Sequence, residues 1–253
     1  MVDLYNGELR YPFPSRSPNR MATFLKTPRP YEHTPALVGH LDSNAELIRD
    51  VAQLYIPDGA NVLDLTFGNG TFWKLIDLSR FNLYGNDVKQ YTARELAKFS
   101  EMGVRQMLHE SYYGTRWAPH QFDVTVFDPP YRSGGSTSHE AMVKTYGLSH
   151  LDIEDSKSGH GNASKLWDEY MLGLNEAWRV TLPQGLILIK CQDFIESGRP
   201  HWFHVKLYQW AMDSGAKVKD LFTLTQTRRP MMRHKSQHHA RKNVSFLWVI
   251  QKW

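Results

Sequence analysis

Residues Phe122–Tyr131 read FDVTVFDPPY, a strand-like run with an abrupt end. The first six residues are mostly β-branched or aromatic, which is typical of a strand inside a sheet. Pro129 and Pro130 cannot donate to a sheet ladder, so the strand is predicted to span 122–127 and to stop before Asp128. An aspartate, a carbonyl made rigid by proline and the ring of Tyr131 are then held at the carboxyl end of a strand. In open α/β sheets this edge is where ligands bind.

This group of residues suits transfer to a flat, weakly nucleophilic amine, because the lone pair of an exocyclic amino group on a base is delocalised into the ring. If the Asp128 carboxylate and the Pro129 carbonyl each accept an N–H hydrogen bond, the nitrogen moves toward tetrahedral geometry and its lone pair becomes available. Tyr131 is a candidate to stack on a base that has left its helix. The alternative interpretation is a plain strand-ending turn, since Asp-Pro-Pro is also good turn chemistry.

Two earlier predicted strands also end in polar residues. The strand at 61–65 (NVLDL) carries Asp64 at its tip, and the turn TFGNG at 66–70 leads from it into a predicted helix. The two glycines of this turn let the backbone pass close to a ligand, but their spacing matches neither G-x-G-x-x-G nor a P-loop. The next strand, 82–87, ends in Asp87. A carboxylate about 20 residues after the first one often binds ribose hydroxyls, and the alternative is an N-cap for a helix over 89–100.

Helical patterns alternate with these strands, which predicts one α/β domain. Asp42 or Ser43 is a candidate N-cap for an amphipathic helix over 44–55, and Glu46, three residues past Ser43, would complete a capping box. Further segments are predicted as strands at 104–108, 186–191, 218–224 and 244–250, and as helices at 165–179 and 201–213. The expected organisation is an extended N-terminal arm over 1–36 and a single domain over 37–253 with inserted loops at about 132–163 and 225–243.

Composition limits the class of protein. The sequence has 253 residues, is 13% aromatic and contains one cysteine, Cys191. A single cysteine excludes an internal disulfide and a cysteine-based zinc site, and no metal is expected. No apolar run reaches about 18 residues and no charged-then-apolar leader begins the chain, so a soluble, cytoplasmic protein without membrane contact is expected.

Positive charge is concentrated near the C-terminus. The formal net charge is only +4, but Asp220 is the last acidic residue and seven Lys/Arg follow it. This asymmetry favours a face that binds a polyanion, and the alternative is a solvated basic loop. The candidate nucleic-acid contacts in the predicted loop are Arg228, Arg229, Arg233, Lys235, Arg241 and Lys242.

The order and spacing of these motifs resemble the S-adenosylmethionine-dependent amino-methyltransferases of nucleic acids, which modify adenine N6 or cytosine N4. The resemblance covers about 43–251 and rests on DLTFGNG at 64–70 and the complete D-P-P-Y at 128–131. It implies a Rossmann-like class I methyltransferase fold with a mostly parallel seven-stranded sheet and an antiparallel final strand. By this resemblance the catalytic residues are Asp128, Pro129, Pro130 and Tyr131, and the residues that bind S-adenosylmethionine are Asp64, Thr66, Phe67, Gly68, Asn69, Gly70, Asp87 and Asp128.

The activity implied is methylation of an exocyclic amino group in double-stranded DNA, with adenine N6 as the first choice and base flipping as the means of access. RNA methylation at adenine N6 or guanine N2, cytosine-N4 methylation of DNA, and a non-catalytic nucleic-acid-binding module on the same fold are the alternatives. DNA enzymes with this order of motifs usually carry a separate recognition domain after the last strand. Here recognition is expected from 132–163, 225–243 and the N-terminal arm.

Overall fold

The computed structural model describes residues 4–5, 8–9, 36–131, 162–227 and 238–253. Most of the predicted N-terminal arm and of both predicted loops lies outside these ranges. No helix of the described residues is long and apolar enough to cross a bilayer.

The described part of the chain contains twelve strands and four α-helices. The strands are β1 (Leu4–Tyr5), β2 (Glu8–Leu9), β3 (Gly39–Leu41), β4 (Asn61–Asp64), β5 (Asn82–Asp87), β6 (Val104–His109), β7 (Phe122–Phe127), β8 (Thr181–Gln192), β9 (Phe194–Glu196), β10 (Arg199–His201), β11 (Lys217–Thr225) and β12 (Val244–Gln251). The helices are α1 (Asn44–Tyr55), α2 (Ala93–Met102), α3 (Asn162–Val180) and α4 (Phe203–Asp213), with 3-10 helices at Thr71–Leu75 and Leu78–Arg80.

Eight of the strands form one sheet in the order β3-β11-β12-β8-β7-β4-β5-β6. Strand β12 runs antiparallel to both of its neighbours, and all other adjacent pairs are parallel. The predicted mostly parallel sheet with an antiparallel final strand is therefore confirmed. The remaining short strands form two small antiparallel pairs, β1 with β2 and β9 with β10.

The sheet has one strand more than the seven predicted. Strand β3 has three residues, too few to show an alternating pattern, and it pairs with the edge of β11. The N–H of Thr223 donates to the Val38 carbonyl at 2.7 Å, and the N–H of Asp42 donates to the Thr225 carbonyl at 3.0 Å. These two bonds hold the extra strand on the sheet from both of its ends.

Helices cover both faces of the sheet, which explains why its central strands read as continuous apolar runs. All residues of β4 and β7 are buried. One core cluster contains the apolar face of α1, with Leu47, Ile48 and Val51. The other contains the apolar faces of α3 and α4, with Tyr170 and Leu207 among its members.

The prediction of a helix after the glycine turn is wrong. The connection from β4 to β5 contains two short 3-10 helices and no α-helix. Asp77 is the N-cap of the second, where its side chain accepts from the N–H of Ser79 at 2.9 Å. The second correction concerns α2, which begins at Ala93 and not at residue 89. Thr92 is its N-cap and forms a full capping box with Glu95, so Asp87 is not the cap.

The start of α1 agrees with the sequence prediction only in part. The side chain of Ser43 accepts from the N–H of Glu46 at 3.2 Å, as an N-cap does. The N–H of Ser43, however, donates to the Leu41 carbonyl at 2.6 Å, in place of the second bond of a capping box. The first turn of α1 is thereby tied to β3, at the edge of the candidate site.

Candidate active site

A cavity of about 560 Å³ opens at the carboxyl edge of the sheet. Four adjacent parallel strands end beside it, and each places a charged side chain there. These side chains are Asp64 at the end of β4, Asp87 at the end of β5, Asp128 just after β7 and Lys190 near the end of β8. The cavity therefore lies at the edge where open α/β sheets bind ligands.

The glycine turn links the ends of β4 and β5. Gly68 and Gly70 have φ angles of 56° and 67°, a left-handed conformation that L side chains rarely adopt. This conformation aims the N–H of Gly68 at the Asp87 carboxylate, 2.7 Å away. Asp87 also accepts from the N–H of Lys89 at 2.8 Å. Burial raises the pKa of Asp87, and the two backbone hydrogen bonds oppose that rise.

Asp64 lies on the floor of the cavity with a relative exposure of 2%. Its carboxylate accepts from the N–H of Thr66 at 3.0 Å and from the indole N–H of Trp73 at 2.8 Å. Burial raises the pKa of Asp64 to about 7, the two hydrogen bonds oppose this, and the nearby charges of Asp128 and Asp87 add to it. Asp64 is thus close to the balance between its neutral and charged forms near neutral pH.

The D-P-P-Y segment forms the opposite wall. The N–H of Asp128 donates to the Thr66 hydroxyl at 2.8 Å, which ties the segment to the glycine turn. The Tyr131 hydroxyl donates to the Asp128 carboxylate. It also accepts a hydrogen bond of 2.7 Å from the Lys190 ammonium, which lies 3.8 Å from Asp128 Oδ2. Asp128, Tyr131 and Lys190 form one hydrogen-bonded group at the cavity wall.

Lys190 is nearly inaccessible, with a relative exposure of 2%. Burial lowers the pKa of this lysine, and the charge of Asp128 opposes that change. Its ammonium is 5.1 Å from the centre of the Tyr131 ring, so it sits at the hydroxyl end of the ring and not over its centre. Burial also raises the pKa of Tyr131, with the charge of Asp128 acting in the same direction, which keeps the phenol protonated.

The structure brings most of the predicted site residues to this one cavity. Its lining includes the catalytic candidates Asp128, Pro129, Pro130 and Tyr131 and the cofactor candidates Asp64, Thr66, Phe67, Gly68, Asn69 and Asp87. Gly70 is not part of the lining. It caps the first 3-10 helix, and a Cβ there would lie 3.1 Å from the Phe67 ring.

Sequence reasoning did not assign several lining residues. Asn44 reaches the cavity from the first turn of α1, and its Oδ1 is buried without a hydrogen-bond partner among the described residues. Phe72, Tyr113 and Glu169 also line the cavity. Phe72 belongs to the first 3-10 helix, Glu169 to α3 and Tyr113 to the connection after β6, and only the tertiary structure brings these residues to the sheet edge.

Two of the six predicted nucleic-acid contacts lie in the described residues. Arg241 is exposed, and the ammonium of Lys242 is 3.9 Å from the centre of the exposed Trp202 ring. The Lys242 carbonyl accepts from the Gln192 amide at 2.8 Å, and Gln192 lines the cavity. The end of the basic segment is therefore anchored next to the site. Arg228, Arg229, Arg233 and Lys235 lie outside the described residues.

No group of three or more side chains suited to holding a metal ion occurs within the described ranges. Since a lone carboxylate or imidazole holds a divalent ion poorly, these residues suggest no metal centre. The charged groups of the cavity are instead hydrogen-bonded to one another and to the backbone.

No protein-family model and no curated protein matches this sequence. Solved structures do match its fold. The MccD protein aligns with a TM-score of 0.51 and 11% identity, over 83% of this chain and 96% of the other. The [4+2]-cyclase SpnF aligns with a TM-score of 0.50 and 11% identity, over 82% and 80%. A methyltransferase from Methanosarcina mazei described as SAM-dependent aligns with a TM-score of 0.48 and 12% identity, over 78% and 94%.

These sequence identities are low, so the structural similarities are evidence for the fold alone. Together with the strand order and the antiparallel β12, they show that the chain has a Rossmann-like class I methyltransferase fold. One of the matched structures is described as a cyclase, so the reaction has to be argued from the residues of the site.

Proposed function

We propose that this protein transfers a methyl group from S-adenosylmethionine to the exocyclic amino group of a nucleobase, with adenine N6 in double-stranded DNA as the substrate. The observation that carries the proposal is the position of the complete D-P-P-Y segment. Asp128, Pro129 and Tyr131 line the same cavity as the glycine turn, and the Asp128 N–H is bonded to the side chain of Thr66 in that turn. A group bound against the turn would therefore lie next to an amine bound at Asp128.

The residues of the cavity fit S-adenosylmethionine. A volume of about 560 Å³ lies within the range of about 300–1,000 Å³ that small-molecule sites occupy. The Asn44 Oδ1, a buried acceptor without a partner among the described residues, suits the amino group of the methionine part, and the Asp64 carboxyl is a further acceptor in the same cavity lining. Asp87 keeps acceptor capacity for ribose hydroxyls, because each carboxylate oxygen can accept two hydrogen bonds and each accepts one from the backbone.

When bound, S-adenosylmethionine supplies a methyl group that is already activated by a sulfonium leaving group. The task of the protein is then to position the amine and exclude water. Asp128 and the Pro129 carbonyl accept the two amino N–H groups, which turns the nitrogen lone pair toward the methyl donor. The Asp128 carboxylate can accept a hydrogen bond from the amino group while it still accepts one from the Tyr131 hydroxyl, since a carboxylate has about four acceptor sites.

Tyr131 supports the face of the base. Its hydroxyl is held by two hydrogen bonds, one to Asp128 and one from Lys190, so the orientation of the ring is set before a substrate arrives. A pre-oriented aromatic ring lowers the entropy cost of stacking a base that has left the helix. This anchoring adds to the stacking role that the sequence suggested for Tyr131.

The test is to incubate the purified protein with methyl-labelled S-adenosylmethionine and either duplex DNA or total RNA, then to digest the nucleic acid and identify the labelled nucleoside. Label in N6-methyladenine from DNA is expected. N4-methylcytosine from DNA, or label only in RNA, would keep the chemistry and replace the substrate. No label in either, with S-adenosylhomocysteine binding detected by calorimetry, would favour a nucleic-acid-binding module without catalysis.

A further inference from the structure

Lys190 is a buried ammonium on the wall of the cavity, beside the segment proposed to hold the amine. It projects from β8, and its ammonium lies 5.1 Å from the centre of the Tyr131 ring and 5.6 Å from that of the Phe72 ring. Burying an ammonium is costly unless its protons are used. Among the described residues it donates one hydrogen bond, to the Tyr131 hydroxyl, and it faces Asp128 at 3.8 Å.

An ammonium has three N–H groups, so these two neighbours leave donor capacity on a residue that lines the cavity. Support of Tyr131 alone would need one donor. A neutral amide or a hydroxyl could supply one donor without the cost of burying a charge. The position of the ammonium at the cavity surface therefore points to a ligand atom that accepts a hydrogen bond.

The chemical pattern of the wall identifies that atom. A carboxylate acceptor and an ammonium donor lie 3.8 Å apart, side by side. The complementary pattern is an N–H donor next to an acceptor nitrogen. Adenine has this pattern at N6–H and N1, and cytosine has it at N4–H and N3. Guanine does not have it on its Watson–Crick edge, because N1 next to the N2 amino group carries a hydrogen. Enzymes that extrude a base read it on this edge.

We propose that Lys190 donates a hydrogen bond to the ring nitrogen next to the target amino group, N1 of adenine, while Asp128 accepts from the amino group itself. Lys190 is then a specificity residue that selects the Watson–Crick edge of adenine or cytosine over that of guanine. The inference rests on the proposed function, because it needs a nucleobase with its amine at Asp128. It adds a base-reading contact that D-P-P-Y does not contain.

The experiment uses single-stranded oligonucleotide pools of random sequence, which need no knowledge of the target site and no base flipping out of a duplex. Three pools differ only in the base at every adenine position: adenine, 1-deazaadenine, which has C–H in place of N1, and 7-deazaadenine, which keeps N1. Initial rates of methyl transfer are measured for the natural protein, Lys190→Met and Lys190→Arg. Calorimetry with S-adenosylhomocysteine and a urea unfolding curve establish that each variant is folded and still binds on the cofactor side.

With the natural protein, kcat/KM for 1-deazaadenine is expected to be about 10- to 100-fold lower than for adenine, because a buried donor is left without a partner. The 7-deaza pool should react like adenine. In Lys190→Met the rate on adenine should fall by a similar factor. The preference of this variant for adenine over 1-deazaadenine should shrink to within about 3-fold, because removing the lysine and removing N1 abolish the same hydrogen bond. Lys190→Arg, which keeps a donor, should recover part of the preference.

Equal rates on adenine and 1-deazaadenine with the natural protein would overturn the assignment of Lys190 and leave the proposed function intact. So would a preference that persists unchanged in Lys190→Met, because a purely structural role at Tyr131 lowers both rates together. A selective loss on 7-deazaadenine would place the contact at N7 and also overturn it. If no pool and no duplex is methylated by the natural protein, the proposed function itself fails. If the labelled nucleoside is N4-methylcytosine, 3-deazacytosine takes the place of 1-deazaadenine.

Discussion

The indole N–H of Trp73 donates a hydrogen bond of 2.8 Å to the buried carboxylate of Asp64. Trp73 belongs to the 3-10 helix Thr71–Leu75, which lies where the sequence predicted an α-helix after the glycine turn. The short helix ends within five residues and brings the indole back beneath the end of β4. The conformation of this connection therefore supplies one of the hydrogen bonds that stabilise the Asp64 carboxylate on the cavity floor.

Replacing Trp73 with Phe should lower the free energy of unfolding by about 1–3 kcal/mol beyond the loss of apolar contact, because Asp64 then loses one of its two donors. The effect should be larger at pH 8 than at pH 5, since the ionised carboxylate needs the donor more. Urea unfolding at both pH values measures it. Trp117→Phe is the matched control, because Trp117 is also buried and its indole N–H has no partner among the described residues. Equal losses in the two variants would contradict the importance of the bond.

The raised pKa of Asp64 predicts a dependence of stability on pH. The carboxyl has a pKa of about 7 in the folded protein and 3.8 as its ordinary value. Its protonated form is favoured by folding, so the contribution is fully present below about pH 4 and is lost as the pH rises through 7. The loss should be on the order of 1 kcal/mol per pH unit between these limits.

Asp64→Asn removes this titration. The stability of the variant relative to the natural protein should therefore rise from pH 4 to pH 7, whatever constant cost the amide brings. Unfolding curves in urea at several pH values give the difference directly. Parallel stability profiles for the two proteins would show that Asp64 ionises normally in the folded state.

Phe127 is the last residue of β7, directly before Asp128, and Gly173 of α3 packs against its ring. A Cβ at Gly173 would lie 2.1 Å from Phe127 Cζ. Gly173→Ala should cost about 1–3 kcal/mol through overpacking, although alanine favours helix more than glycine does. It should also slow methyl transfer, because Asp128 follows Phe127 in the chain.

Gly85→Ala is the control for that substitution. A Cβ there would lie 2.1 Å from the Met107 Sδ, but a thioether side chain can rotate away whereas the buried ring cannot. Gly85→Ala should therefore cost less stability in the same urea titration. A larger cost for Gly85→Ala than for Gly173→Ala would show that the ring yields more easily than the thioether.

The sequence predicts well those elements that have a clear hydrophobic pattern. The strands at 82–87 and 122–127 are found at the predicted residues, because continuous apolar runs bounded by turns have few other solutions. The edge at which Asp64, Asp87 and Asp128 meet follows from parallel pairing alone. Helix ends are predicted less well, as at Thr92, where a local capping box decides the first residue and leaves little trace in periodicity.

What the sequence does not predict depends on contacts between distant segments. Lys190 lies near the end of an apolar run, and its bond to Tyr131 joins residues 59 apart in the chain. Asn44 and Glu169 reach the cavity because α1 and α3 dock at the sheet edge, and no spacing rule encodes that docking. Sequence patterns therefore locate the motifs, and tertiary packing supplies the partners that set their charges and orientation.

Asp128 is expected to be essential for transfer and dispensable for binding. Asp128→Ala should lower the rate of methyl transfer by at least about 100-fold, because the amine loses its acceptor. Affinity for DNA should change little. Asp220→Asn serves as the control, since Asp220 lies on β11 outside the cavity lining and accepts from Tyr55 at 2.7 Å. Unchanged methylation in Asp128→Ala would refute the proposed mechanism.

The basic segment after β11 is expected to contact phosphates, and salt dependence separates that role from a solvated loop. Each phosphate contact contributes about 0.9 to the slope of log K against log salt for duplex DNA. Arg228→Gln combined with Arg229→Gln should lower this slope by up to about 2 and weaken binding to all sequences alike. Lys217→Gln with Lys219→Gln removes the same charge from the amino end of β11, away from the cavity, and should leave the slope nearly unchanged. The slope comes from Kd values measured by fluorescence anisotropy over a range of salt concentrations. If both double variants lower the slope equally, net charge and not this segment attracts the nucleic acid.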